Sequence, residues 1–193
     1  MSYFKELSTS ARLLDVFKIY PAPCLPLIEY HQRLLRGESP FSVGEREWMA
    51  ACVSALNSCR YCAGVHAATA RRFGVDEAVM RQLLEDPKQA EVPERMRPVF
   101  AYLKKLTECP SRILPEDAEA IFAAGWNDRA LHDLVAIGAL FNCMNRLVEG
   151  FGISADGAYF DESSERLASK EGYGALLKLL KSEATSIQRK LWS

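Results

Sequence analysis

Ser58-Cys59-Arg60-Tyr61-Cys62-Ala63-Gly64-Val65-His66-Ala67-Ala68-Thr69-Ala70-Arg71-Arg72 reads as one helix. Ser58 is the expected N-cap, and Gly74 stands where a C′ glycine would close it. On this helix Cys59 and Cys62 are i, i+3 and Cys62 and His66 are i, i+4, so two thiols and an imidazole share one face. Glu47 lies twelve residues before Cys59. Orphan N–H groups of a first helical turn and a nearby imidazolium both lower a thiol pKa from about 8.5. The helix terminus favours Cys59 as the reactive thiolate and His66 favours Cys62, and the spacing leaves both open.

The same residues admit other chemistry. Zinc usually takes four ligands, and only Cys59, Cys62 and His66 are local, with Glu47 or Cys143 as a possible fourth. Haem attachment needs a histidine directly after the second cysteine, where Ala63 stands. A thioredoxin-like site expects a βαβ context, and the chain carries almost no strand pattern. A third possibility is a structural oligomer with a vestigial dithiol.

Outward from this helix, the chain reads as all-α. An amphipathic segment over about 9–20 ends before Pro21-Ala22-Pro23, and a second follows over about 26–36. Ser42-Val43-Gly44-Glu45 is a capping box opening a helix over about 43–57, which carries Glu47. Asp76 caps a short helix to about 85, Pro93 suits the first turn of one over about 92–108, and Pro115 starts another to about 124. Asn127 caps 128–149, which is apolar on most faces and is the expected central buried helix. Asp156 to Gly172 reads as a charged surface excursion, and about 174–191 as a final helix.

The chain has 193 residues, 49% of them hydrophobic, with a net charge of -1, which suits one domain over 1–193. No basic excess points to nucleic acid. The longest apolar runs fall short of a membrane span, and the N-terminal residues lack a signal-peptide pattern. Six cysteines without obvious pairs fit a reducing cytoplasm. Cys52 and Cys143 are expected to be buried, Cys24 to lie in a loop between prolines, and Cys109 to end a helix. His31 is expected at the surface, and His132 near the start of the buried helix. Arg146, i+4 from Asn142, is expected to be buried in an ion pair. Trp48, Trp126 and Trp192 are expected in the core or an interface. Leu34, Leu35, Leu176, Leu177, Leu179 and Leu180 exceed what one small core obviously absorbs, which argues for a homo-oligomer.

Glu47, eleven intervening residues, Cys59-x-x-Cys62, three more and His66 resemble the signature of the AhpD-like alkylhydroperoxidases, in the carboxymuconolactone decarboxylase superfamily. Phe141-Asn142-Cys143-Met144-Asn145-Arg146, then Leu147 and Gly152, resemble its peroxidase-related branch. The resemblance covers about residues 40–155. It implies an AhpD-like helical domain with a central buried helix hairpin, assembled as trimers or hexamers, and needing no metal or organic cofactor. It implies hydroperoxide reduction in which Cys62 is oxidised to sulfenic acid and Cys59 resolves it. Glu47 and His66 relay protons, and a thiol donor such as a lipoyl or thioredoxin-like protein reopens the disulfide. The best-known members carry a histidine where this chain has Tyr61, and a phenol of pKa about 10 does not titrate like imidazole. A general thiol–disulfide oxidoreductase with little peroxidase activity is the alternative. Decarboxylase relatives generally lack the CxxC pair.

Overall fold

The computed structural model describes residues 2–85 and 91–191, with the backbone alone at 84–85 and 186–191. Among the described residues there are ten α-helices, two short 3-10 turns and no strand. The helices are α1 (Leu13–Ile19), α2 (Pro21–Arg36), α3 (Val43–Leu56), α4 (Arg60–Arg72), α5 (Glu77–Glu85), α6 (Arg97–Glu108), α7 (Pro115–Ala123), α8 (Asp128–Gly150), α9 (Gly157–Ala168) and α10 (Gly174–Leu191).

The expected hairpin is α3 and α4, packed along their lengths. The reciprocal box at its start forms: the Glu45 N–H donates to Ser42 Oγ at 3.2 Å, and the Ser42 N–H to Glu45 Oε2 at 2.7 Å. Its turn is Asn57-Ser58-Cys59. The Cys59 N–H donates to Ser54 O and the Ser58 N–H to Ala55 O, each at 2.9 Å, which is the two-bond closure of a helix C-terminus. That closure needs a left-handed residue, and Ser58 supplies it at φ 57. Ser58 is therefore the end of α3 and not the cap of α4. The N-cap is Cys59, and Cys62 is the third residue of α4.

α8 crosses α3, and α6 packs on both. Met49, Leu103, Leu134, Ile137 and Phe141 fill the space between them and are fully buried. Trp48 stacks on Phe100 and Trp126 on Phe41, with ring centroids 4.5 and 4.1 Å apart, so both tryptophans are core residues as expected. Trp192 lies outside the described residues. Arg46, buried on α3, donates from Nη1 to Leu34 O (2.9 Å) and Gly37 O (2.8 Å), the otherwise orphan carbonyls at the end of α2. This clamp holds the end of α2, and Arg36 with it, beside α3.

Several expectations change. The prolines do not keep residues 21–25 out of a helix. Pro21 and Pro23 occupy its first turn, where the missing N–H groups have no intrahelical partner, so α2 starts at Pro21 and Cys24 lies buried on it. Pro93 leads a 3-10 turn, Glu94–Met96, and Pro98 opens α6. The segment 156–172 is not a surface excursion. Asp156 caps α9 by accepting the Tyr159 N–H at 3.1 Å, and α9 packs against α4. Its inward face includes Ser163 and Ser164, small residues that read as polar but allow close approach. Gly64 on α4 makes the matching allowance: a Cβ there would meet the Phe160 ring at 2.3 Å.

Cys143 is exposed, whereas Cys52 is buried as expected. Arg146 is exposed and donates to Asn142 O and Oδ1, with no ion pair among the described residues. His31 is buried, and His132 is exposed beside Asp133. Leu34, Leu35 and Leu180 are buried within the chain, Leu176 and Leu177 pack on the same core, and Leu179 is exposed. Because α10 packs on α2, most of these leucines are absorbed within one chain and do not by themselves call for a partner. A trimer or hexamer then rests on the resemblance alone. No helix among the described residues is long and apolar enough to cross a membrane.

Candidate functional site

The hairpin turn places Cys59 at the N-terminus of α4, and one helical turn brings Cys62 beside it. Both are reduced thiols and nearly inaccessible from outside. The Cys59 sulfur receives the Cys62 thiol and the Cys62 backbone N–H. Together these hold the Cys59 pKa below its ordinary value, against burial and the Glu149 carboxylate. The same hydrogen bond pushes Cys62 well above its ordinary value, burial and the charge on Cys59 add to this, and only the Asn145 side chain opposes them. In the resting dithiol the negative charge therefore favours Cys59, as the helix-terminus argument suggests.

His66 lies one turn beyond Cys62. Its Nδ1 is 2.6 Å from Glu47 Oε2, and the carboxylate accepts, so Nδ1 carries the proton. The His66 ring also sits edge-on to Phe141, with centroids 4.5 Å apart. Glu47 is fully buried, and burial alone would keep it neutral. His66 and then Arg36 outweigh that and lower its pKa. Arg36 Nη1 is 2.6 Å from Glu47 Oε1, and Tyr173 Oη donates to the same oxygen at 3.5 Å. The guanidinium also donates to Leu35 O and Leu167 O and lies over the rings of Phe73 and Tyr173. All four residues expected from the sequence thus come together: Glu47, Cys59, Cys62 and His66.

Above them is a narrow cavity of about 90 Å³, walled by α1, α2, α4, α8, α9 and α10. Cys62 and His66 line it, among Leu14, Phe17, Val65, Phe141 and Met144. Tyr61 lines it as well and donates from Oη to Tyr159 Oη at 2.7 Å. Burial, then the Tyr159 hydroxyl, raise the Tyr61 pKa further above an already high value, so this phenol stays neutral.

Four residues of the site escape the sequence reading. Arg36 gives no signal beyond a basic residue at a helix end. His31 sits among polar neighbours in sequence yet lines the cavity. Tyr173 lies beyond the end of α9. Asn145 could have been found as a buried polar residue on an apolar helix. Its Nδ2 donates to Ser54 Oγ at 3.0 Å, and its Oδ1 accepts from Asn57 Nδ2 at 2.9 Å, which ties α8 to the hairpin turn.

A metal centre finds little support in this geometry. Cys143 is exposed on α8, Glu47 already pairs with Arg36 and His66, and no three His, Cys, Asp or Glu side chains among the described residues converge as a ligand set.

Residues 27–91 match the carboxymuconolactone decarboxylase family model, and this stretch contains Glu47, Cys59, Cys62 and His66. The crystal structure of an uncharacterized peroxidase-related protein from Silicibacter sp. TM1040 superimposes with a TM-score of 0.71 at 26% identity, covering 77% of this chain and 78% of that one. These findings support the AhpD-like, peroxidase-related branch of the carboxymuconolactone decarboxylase superfamily as the group this chain is similar to. Another AhpD-like structure, an alkylhydroperoxidase AhpD core described as an uncharacterized peroxidase-related protein from Ralstonia eutropha JMP134, gives a TM-score of 0.70 at 26% identity, covering 75% of this chain and 76% of that one. A protein of unknown function from Agrobacterium tumefaciens shares the AhpD-like fold, with a TM-score of 0.63 at 15% identity over 74% of this chain and 97% of that one. No curated protein matches the chain. The cavity walls from α1, α8, α9 and α10 lie outside the stretch that the family model matches.

Proposed function

We propose that this protein is a cysteine-based hydroperoxide reductase. One observation carries the reading: Cys62 and His66 face an apolar cavity together, with Cys59 and Glu47 directly behind them. The hydrogen bond between the thiols provides the activation. When its proton moves from Cys62 to Cys59, the charge passes to the cavity sulfur while the net charge of the pair is unchanged. The Cys62 thiolate attacks the terminal oxygen of a hydroperoxide, the O–O bond breaks, and Cys62 becomes a sulfenic acid. The departing alkoxide takes a proton from the His66–Glu47 pair and leaves as alcohol. The Cys59 thiol then condenses with the sulfenic acid, forming the disulfide and water, and a donor dithiol restores both thiols as it is itself oxidised.

The test is mass spectrometry of the reduced protein before and after treatment with tert-butyl hydroperoxide. The expected product has lost two hydrogens, with the bridge mapped to Cys59 and Cys62. A bridge involving Cys24 or Cys109, or no bridge, would overturn the proposal.

A second reading, thiol–disulfide exchange with little peroxidase activity, is favoured by one specific observation. The resting charge favours Cys59, while the cavity thiol is held well above its ordinary pKa. Oxidation of Cys59 and Cys62 by a disulfide such as oxidised glutathione, together with peroxide consumption at the background rate, would select it.

A further inference from the structure

The cavity contains a second imidazole that the proposed chemistry does not use. His31, on α2, is 3% exposed and lines the cavity with Cys62 and His66. Its Nδ1 is 2.8 Å from Leu27 O, one turn back on the same helix. A carbonyl oxygen only accepts, so Nδ1 carries the proton. A neutral ring then has a bare lone pair on Nε2. Desolvation keeps it neutral, lowering its pKa to about 4. The ring is also fixed in place, edge-on to Phe141 at 5.9 Å and tilted against Tyr173 at 5.3 Å. Both neighbours touch the relay, Phe141 through the His66 ring and Tyr173 through Glu47. Among the described residues the bond to Leu27 is the one hydrogen bond that His31 makes.

A neutral imidazole that lines an apolar cavity and has no protein donor among the described residues leaves its acceptor open to a ligand that brings one. The ligand class follows from the cavity: a small neutral molecule with an O–H group and an apolar body. We propose that His31 is a substrate-binding residue whose Nε2 accepts the hydrogen bond of a hydroperoxide O–H group, or of the product alcohol, beside Cys62. This rests on the proposed function for the identity of the hydroperoxide, but not for the class of donor. The oxygen that bears this hydrogen is the one that Cys62 attacks. Holding its O–H on a fixed acceptor therefore orients the O–O bond toward the sulfur. His66 keeps the separate task of supplying the proton to the leaving alkoxide.

Two measurements test this. The first compares wild type, His31→Phe and His31→Gln for the second-order oxidation of the dithiol by tert-butyl hydroperoxide, with alkylation of Cys62 by iodoacetamide as the control. Loss of one neutral hydrogen bond predicts about a tenfold slower oxidation in His31→Phe, through a raised KM, with unchanged alkylation. His31→Gln keeps an acceptor and is expected to recover part of the rate. Oxidation of His31→Phe at the wild-type rate would overturn the proposal.

The second measurement uses the unsubstituted reduced protein. In ¹⁵N spectra, titration with tert-butanol is expected to shift the unprotonated Nε2 resonance of His31 upfield as it accepts a hydrogen bond. A resonance that does not move overturns the proposal, even if His31→Phe is slow or misfolded, because His31 would then only shape the cavity. If wild type fails to consume hydroperoxide while Nε2 responds to tert-butanol, the reductase reading falls and the His31 site stands.

Discussion

Arg36 and Glu47 meet at 2.6 Å beneath the dithiol, with Glu47 fully buried. The pair keeps a carboxylate ionised where burial alone would neutralise it, and the other oxygen of that carboxylate holds His66. A group whose folded pKa is lowered stabilises the fold above its unfolded pKa, and that contribution is lost as pH falls through the folded value. Glu47 should therefore contribute fully above about pH 4.3 and progressively less in acid. Arg36→Met removes the guanidinium and leaves a buried charge, which should cost about 3–5 kcal/mol at neutral pH. The Arg36→Met, Glu47→Gln double variant should regain much of this. Thermal melts at neutral and acid pH check it, and equal stability of Arg36→Met and wild type at neutral pH would mean the pair is energetically idle.

The Cys59–Cys62 hydrogen bond makes a second expectation specific. Cys62→Ala removes the thiol donor, so the Cys59 pKa should rise toward the ordinary thiol value. Cys59→Ala should let the Cys62 pKa fall, because its acceptor and the adjacent negative charge are both gone. Ultraviolet titration of the thiolate in each variant measures this. If Cys59 titrates at the same pH with and without Cys62, the charge on Cys59 does not depend on its partner.

Glu47→Gln and His66→Ala should each slow hydroperoxide reduction near neutral pH by about 10²–10⁴, the usual contribution of an acid–base group. Stopped-flow oxidation of the dithiol reads this, and unchanged rates would leave the pair a structural ion pair.

Asn145 joins Ser54, Asn57 and the Cys62 sulfur. Asn145→Leu leaves the Asn57 amide with Asn142 Oδ1 as its remaining acceptor, takes the donor from Ser54 Oγ, and removes the hydrogen bond that favours the Cys62 thiolate. A loss of about 1–3 kcal/mol and a further rise in the Cys62 pKa are expected. Denaturant unfolding and thiol titration of the variant report the two effects separately.

Ser58 carries a left-handed backbone without being glycine. Ser58→Gly should relieve about 1 kcal/mol of that strain and raise Tm by about 2–4 °C for a chain of this size. The position of Cys59 should not change, so the Cys59 pKa should stay put. A lower Tm would mean that the serine side chain contributes more than the strain costs.

The sequence by itself determined whatever depends on residues within one or two helical turns. The Ser42–Glu45 box, the Asp76 and Asn127 caps and the Gly74 terminus form as read, because a cap is a bond between residues two or three apart. The Cys59, Cys62 and His66 face was legible for the same reason, since helical spacing alone aligns it. Even so, Ser58 misled as a cap, because its backbone conformation belongs to the preceding helix. Only the tertiary structure decided what surrounds that face. Asn145 reaches Ser54 across 91 positions, and Arg36 enters only because Arg46 holds the end of α2 beside α3. His31 is polar in sequence and buried in space because Tyr173, just before α10, and Phe141 on α8 pack onto it. α9 was missed because Ser163 and Ser164 make a small contact face rather than an apolar one. Local hydrogen bonding is written in short-range spacing, whereas desolvation and charge pairing depend on which distant surfaces the packed core brings together.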